Sequence, residues 1–407
     1  MNGKPCADSD TKGSWFDIDF KSAERSVKKL QKRIYVAYSR NEIDKLMYLQ
    51  NRMIHSFYAK ALAVKIVTSN RGKNTVGIDN ILWKTPEEKY NAIFTLSRRG
   101  YKPKALKTVY IPKSDGSMRM IGIPTMKDRA MQTLFKFALE PVAEATADNC
   151  SFGFRKGKSS REAIIRCKDI LTDLPNRRYV LKADIKSCFD NISHSWVIDN
   201  IMLDKIMLNK FIKGNCHKDD IACGIPQGSC ISSIICNMVL DGLEDYLSDI
   251  FGNDVNAVRY ADDIVIFADN RNFILRSVVP EVSKFLFNRG LELSSEKTKI
   301  CNINDGFDFL GYNVSRKNNQ VQCVPAGKNI YKLFEKTRRV LTSKFNYNET
   351  TEALKQIVRG WFNYYDIATV QSRKAVLNRL KNLSYETSGD SRYAELLTKI
   401  FSEREQK

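Results

Sequence analysis

The 407-residue chain, 43% hydrophobic and 28% charged, can form two or three cooperating subdomains with packed cores, which excludes a largely disordered protein. Its 66 Lys and Arg against 46 Asp and Glu leave a net charge of +20. The basic residues recur in every segment, so the expected partner is a polyanion lying in a long groove. No signal peptide is read and no apolar run is long enough to span a bilayer. A reduced, cytoplasmic, soluble protein with no membrane contact is therefore expected.

Residues 1–20 are polar and read as a loosely ordered end. From Ser22 to about Val67 the apolar positions Leu30, Ile34, Leu46, Leu49, Met53, Phe57 and Leu62 recur at helical steps, with Lys and Arg between them. Arg71–Asp79 is a glycine-containing loop. Leu106–Pro112 and Met118–Ile123 flank an Asp-Gly turn and read as a hairpin. Helices are expected over Asp128–Glu144 and Ser160–Leu171, the second capped by Ser159 or Ser160. Tyr179–Ile185 alternates as a strand, with Val180, Lys182 and Asp184 on one face. Ser232–Tyr246 reads as an apolar helix, and Ala257–Tyr260 and Ile264–Phe267 as a compact hairpin. A helix over Val278–Arg289 and a strand over Phe307–Val314 follow. Beyond Pro325 the pattern is helical again. Ile330, Leu333, Phe334 and Leu341 line one face among Lys and Arg, and two further helices are expected near Leu354–Tyr365 and Arg373–Leu383.

Three carboxylates carry chemistry. Asp184 ends a strand, and Asp262 and Asp263 sit at a hairpin tip. Such groups repel unless a counter-charge joins them. Two Mg²⁺ ions, with Mn²⁺ as a substitute, would supply it and could activate a 3′-hydroxyl and stabilise a leaving pyrophosphate. Asp-Asp in a turn is common, so each signal alone is weak. The ten cysteines show no Cys-x-x-Cys spacing, and only three histidines are present, which disfavours zinc. Cys216-His217 with Cys223 is the nearest grouping to a ligand set, and isolated thiols more often pack as small apolar groups.

Order and context sharpen this reading. Tyr110–Arg119 continues into Ile121-Gly122-Ile123-Pro124. Then come Ser151-Phe152-Gly153-Phe154-Arg155, Ala183–Asp190, Gly224-Ile225-Pro226-Gln227-Gly228, Arg259–Asp263, Leu293–Thr298 and Phe309-Leu310-Gly311-Tyr312. Together these blocks resemble bacterial group II intron-encoded reverse transcriptases over about residues 40–385. The resemblance implies an α+β right hand: fingers and palm with an antiparallel sheet plus helices, then an all-helical thumb. It implies RNA-directed DNA synthesis on a template–primer duplex, with a structured cognate RNA as partner and DNA as product. It also implies roles. Asp184, Asp262 and Asp263 are the metal-binding triad, joined by the backbone carbonyl of Ile185. Lys113 and Arg119 face the triphosphate. Phe189 gates the sugar, Gln227 contacts the nucleotide, and Lys297 lies near the departing pyrophosphate. Gly360–Tyr365 matches the thumb, or maturase X region.

The blocks suggest a flexible 1–20, a helical extension over 21–100, fingers over 101–178, palm over 179–322, thumb over 323–390 and a tail over 391–407. Three departures stand out. Ser229-Cys230-Ile231-Ser232-Ser233 lacks the family's proline, so the following helix is expected to start differently. Little chain follows the thumb, which leaves no room for a DNA-binding or HNH endonuclease region. The maturase stretch Thr350–Leu383 is short, an expectation against splicing assistance. Two other readings stand beside an intron-encoded enzyme. One is a host-adapted relative serving antiviral defence or CRISPR adaptation, the other an RNA-binding maturase without polymerase activity.

Overall fold

A computed structural model describes residues 13–112, 116, 118–214 and 223–405. The N-terminal part runs α1 (Phe20–Ser39), α2 (Ile43–His55), α3 (Phe57–Ser69), α4 (Pro86–Thr95), β1 (Lys107–Pro112), β2 (Met118–Ile123), α5 (Met126–Thr146) and α6 (Ser160–Asp173). The middle runs β3 (Tyr179–Asp184), α7 (Cys188–Asn191), α8 (His194–Asn200), α9 (Lys205–Lys213), α10 (Ser232–Leu240), α11 (Leu243–Phe251), β4 (Asn256–Tyr260) and β5 (Asp263–Ala268). Then α12 (Arg271–Phe273) passes through a π turn (Ile274–Val278) into α13 (Val279–Phe287). The remainder is β6 (Lys299–Asn302), β7 (Phe307–Phe309), β8 (Tyr312–Lys317), β9 (Gln320–Pro325), α14 (Gly327–Leu341), α15 (Tyr347–Tyr364), α16 (Val370–Ser388) and α17 (Ser391–Glu405). The architecture is α+β, with antiparallel sheets, helices against them and an all-helical C-terminal bundle.

Two compact units interleave along the chain: residues 1–147, 187–242 and 286–291, and residues 148–186, 243–285 and 292–407. In the first unit, the long helical stretch after Ser22 is broken twice. Asn41 takes a left-handed backbone (φ 56), and Ser56 turns extended to cap α3 through its hydroxyl. The resulting helices pack on α5, whose buried face includes Leu134, Phe135, Ala138 and Leu139. Tyr101 and Thr125 both donate to the buried Asp128 carboxylate at 2.7 Å, and Arg129 donates to the carbonyls of Gly72 and Thr75. Those bonds hold the loop over Arg71–Asp79 in place. The β1–β2 hairpin forms as the alternation suggests, in register Lys107 with Ile123 through Pro112 with Met118.

The second unit is built on a four-stranded antiparallel sheet in the order β4-β5-β3-β6. Val180, Val258, Val265 and Phe267 bury one of its faces against α6 and against a three-stranded sheet, β7-β8-β9. β-Branched and aromatic side chains suit such a half-buried pleat. The expected strand over Phe307–Val314 is in fact two. Leu310 (φ 46) and Gly311 (φ 82) form a tight turn between β7 and β8. The continuous apolar run concealed the turn, because both arms bury Phe307, Phe309, Tyr312 and Val314 in the same core. The segment read as a tail is the helix α17. Its Leu397, Ile400 and Phe401 join Val358, Phe362 and Leu380 in the core of the C-terminal bundle.

That bundle is tied to the β7–β8 turn by a polar clamp. Tyr364 donates to the Leu310 carbonyl at 2.7 Å and Tyr365 to the Gly311 carbonyl at 3.0 Å. Asn329 of α14 donates to the Tyr365 hydroxyl at 2.7 Å, and the Tyr312 hydroxyl donates to the Tyr364 carbonyl. A Cβ on Gly311 would meet Asn329 Nδ2 at 2.5 Å in a backbone that disfavours any side chain. Gly311→Ala should destabilise the protein by about 2 kcal/mol and lower its melting temperature by several degrees. A melting curve matching that of the parent would show that the clamp tolerates a side chain.

Candidate active site

Along one face of β3, Val180 is buried in the core while Lys182 and Asp184 are half-buried at the next two positions toward the end of the strand; Leu181 and Ala183 are buried on the other face. β3 pairs with β5 in register from Tyr179 opposite Ala268 to Asp184 opposite Asp263. The ladder therefore sets two carboxylates side by side at its last pair. β4 pairs with β5 so that Tyr260 faces Asp263, leaving Ala261 and Asp262 as a two-residue turn. Ala261 has φ 56, a conformation that glycine adopts at far lower cost. The turn is held in place. Arg259 accepts from Phe152 N–H at 2.9 Å and donates its own N–H to Cys150 O at 2.8 Å. Gly153 presses so closely on the turn that a Cβ there would lie 2.3 Å from Ala261 N.

The end of β3 is fixed from the other side. Ser294 N–H donates to Asp184 O at 2.7 Å, and Asp184 N–H to Thr298 Oγ1 at 3.3 Å. Ile185 is buried and bridges Leu293. Lys297, from the same short segment, places Nζ 3.7 Å from Asp184 Oδ2 with its side chain largely in solvent.

Electrostatically this end of the sheet is over-supplied with negative charge. Burial, and next the charge of Asp262, push the Asp263 carboxyl above the usual carboxylate range. Asp184 adds to the effect, while Lys182 and Lys328 oppose it. Among the described residues no three His, Cys, Asp or Glu side chains converge closely enough to hold an ion. The carboxylates share one end of the sheet while Asp184 turns toward Lys297.

The remaining expected site residues belong to the other unit. Phe189 is half-buried in α7, five residues beyond Asp184, and its carbonyl accepts from Ile225 N–H at 2.7 Å. Gln227 donates through Nε2 to Asp190 Oδ1 at 3.3 Å and accepts at its carbonyl from Gly122 N–H at 2.8 Å. Gly228 (φ 110) lies where a Cβ would meet Gly122 O at 2.5 Å. The Pro226-Gln227-Gly228 loop is thus pinned to β2, the strand that carries the exposed Arg119. Lys113, Cys216 and His217 lie outside the described residues. Helix α10 begins at Ser232 without a side-chain cap.

Lys182, Lys328, Thr298 and Gly153 were given no role at the site from the sequence. For Lys182 a signal existed, since it lies two residues before Asp184 and so on the same strand face. The others come from segments whose nearness no local pattern announces.

Comparison with known proteins closes the identification. The family described as reverse transcriptase (RNA-dependent DNA polymerase) matches residues 111–314, half of the chain. The N-terminal domain of reverse transcriptase matches residues 15–96, and the group II intron maturase-specific domain residues 330–385, a longer stretch than the one read as short. Protein YkfC of Escherichia coli (strain K12) is 28% identical over 306 residues, 63% of this chain and 80% of that protein. Maturase-like protein 1 of Euglena gracilis is 24% identical, covering 86% of this chain and 77% of its own length. Group II intron-encoded protein LtrA of Lactococcus lactis subsp. cremoris is 26% identical over 62% of this chain, which spans 54% of that relative. Among solved structures, telomerase from Candida albicans aligns over 75% of this chain and 62% of its own with a TM-score of 0.40 and 16% identity. No helix among the described residues is long and apolar enough to cross a membrane. The chain belongs to the reverse transcriptase family, the RNA-directed DNA polymerases, and carries that family's N-terminal and group II maturase-specific regions.

Proposed function

We propose that the chain extends a primer 3′-end with deoxynucleotides on an RNA template, using two divalent cations held by Asp184, Asp262 and Asp263. The observation that carries this reading is the last pair of the β3–β5 ladder, Asp184 beside Asp263, with Asp262 in the adjoining turn. Hard carboxylate oxygens with unbalanced charge suit Mg²⁺, with Mn²⁺ as a substitute, and the raised Asp263 carboxyl marks that imbalance. When bound, such ions supply Lewis-acid stabilisation of the attacking and leaving oxygens.

The chain's own groups would do the rest. The fixed register holds the backbones of Asp184 and Asp263 as neighbours, so that gathering the carboxylates on the ions would need only side-chain rotation, with Asp184 released from Lys297. The Ile185 carbonyl would add an oxygen ligand. Lys297 balances Asp184 in the free protein and would meet the pyrophosphate charge as it develops. Arg119 and Lys113 would clamp the triphosphate, Gln227 would contact the nucleotide, and Phe189 would exclude a 2′-hydroxyl by bulk. These roles rest on the family resemblance. The helices α14 to α17, with Lys328, Lys332, Lys336 and Arg339 along α14, would grip the template–primer duplex through its phosphates. The match to the maturase-specific domain favours a structured, group II-type RNA as the cognate partner.

Primer extension on an RNA template with Mg²⁺ and dNTPs tests the core of the proposal. Asp263→Asn should lower the extension rate by at least about a thousandfold. Its raised carboxyl means that ionisation at neutral pH works against folding, so the same change should leave the melting temperature unchanged or higher. Retained cDNA synthesis in Asp263→Asn would rule out the assigned centre. Phe189→Ala should instead keep cDNA synthesis while narrowing the preference for dNTPs over NTPs by about tenfold or more. An unchanged preference would remove Phe189 from the gate. Duplex affinity should fall steeply between 50 and 200 mM salt, as for any grip made through phosphates. A flat salt dependence would argue against the basic helices as the binding surface.

A further inference from the structure

Beside the Asp262–Asp263 turn lies a residue that none of these roles uses. Phe154 has φ 55, in the left-handed region that a bulky side chain occupies only under constraint. The residue is also 57% exposed, so burial does not compensate the strain. The surroundings hold it there. Gly153, its neighbour, packs against the backbone of Tyr260 and Ala261, with a Cβ at that position 2.9 Å from Tyr260 C and 2.3 Å from Ala261 N. On the other side, Arg155 Nη1 donates to Asp148 O at 2.8 Å and to Ser151 O at 2.6 Å. A strained aromatic is thereby presented to solvent at the side of the catalytic turn, on a loop that cannot relax. Two exposed cations lie two and four residues on, Lys156 and Lys158, the latter with its ammonium 5.6 Å from the Phe152 ring centroid. An aromatic face flanked by phosphate-seeking charges is the chemistry of a nucleobase-stacking platform.

We propose that Phe154 stacks on a nucleobase of the template–primer duplex at the growing end, fixing that base against the turn that carries Asp262 and Asp263. The proposal rests on the polymerase reading above and adds a substrate-contacting residue to it. Every base has a π face, so the contact is sequence-tolerant, as a processive copying enzyme requires. It also assigns a reason for the strain: the pinned left-handed backbone keeps the ring from folding back onto the protein.

The test compares Phe154→Ala, Phe154→Tyr and Phe154→Gly with the parent. Affinity is read by fluorescence anisotropy of a labelled RNA-template–DNA-primer duplex, which requires no catalysis. Three duplexes carry 2-aminopurine at the templating position, its 3′ neighbour or the primer terminus. Phe154→Ala and Phe154→Gly should bind about tenfold more weakly, and Phe154→Tyr within about twofold of the parent. In at least one duplex, 2-aminopurine should be quenched by the parent and by Phe154→Tyr, and not by the other two variants. Phe154→Gly suits the left-handed backbone, so its melting temperature should equal or exceed that of the parent even as it loses affinity. A merely structural ring would not give that opposition of signs. If Phe154→Ala does not fold, Phe154→Gly decides the question.

Parent-like affinity and fluorescence in Phe154→Gly overturn the stacking role, as does an equal loss in Phe154→Tyr. The two readings fail separately. A parent protein that extends primers while the variants bind normally sinks only the stacking proposal. A parent that extends none yet shows aromatic-dependent binding sinks only the activity. A parent that does not bind the duplex overturns the stacking proposal outright.

Discussion

The site depends on one register. Because β3 and β5 pair from Tyr179–Ala268 to Asp184–Asp263, the ladder ends by setting two negative charges on neighbouring strands. A slip of one residue would move every side chain of β3 to the opposite face, carrying Val180 out of its core and Asp184 away from Asp263 together. The apolar part of that face therefore specifies the position of its acidic end. Val180, Val258, Val265 and Phe267 must reach the core, and in doing so they bring Asp184 and Asp263 together. The hydrophobic effect thus offsets an electrostatic cost that no local preference would accept.

Close backbone approach is the second theme. Gly153 against Ala261 and, in the other unit, Gly228 against Gly122 each occupy a gap that a methyl group would fill. Such contacts fix loops without long side chains in between. The loop with Gln227 is held by main-chain bonding to Gly122, so its side chain is restrained only by the long contact to Asp190.

What was legible in the sequence follows the range of the forces involved. The alternation of Tyr179–Ile185, the Asp-Gly hairpin and the cap at Ser159 or Ser160 are local signals, and the elements they announce are present. The helical run after Ser22 was read without its breaks, since Asn41 and Ser56 are single residues inside an unbroken apolar period. Ser232–Tyr246 was read as one helix for the same reason, and Gly242 (φ 86) divides it into α10 and α11. Phe307–Val314 concealed a turn because both arms face one core. The interleaving of the two units was not legible either, since it arises from strands that pair across long separations in the chain. At the site, the ordered blocks pointed to the carboxylates. The charges that bear on Asp263, Lys182 and Lys328, emerge only once β3 and α14 are placed near it.

The clamp at Gly311 has a mechanical consequence. Tyr364 and Tyr365 at the end of α15, and Asn329 in the first turn of α14, meet at the single turn between β7 and β8. That turn belongs to the three-stranded sheet, which forms no strand ladder with the sheet holding Asp184 and Asp263. The bundle is anchored elsewhere too, by Thr369 N–H donating to Cys323 O of β9 and by Asp366 paired with Arg161 of α6, so a pull on it is shared among several attachments. Any displacement of α14 would also displace Lys328, one of the two cations that oppose the negative charge at Asp263.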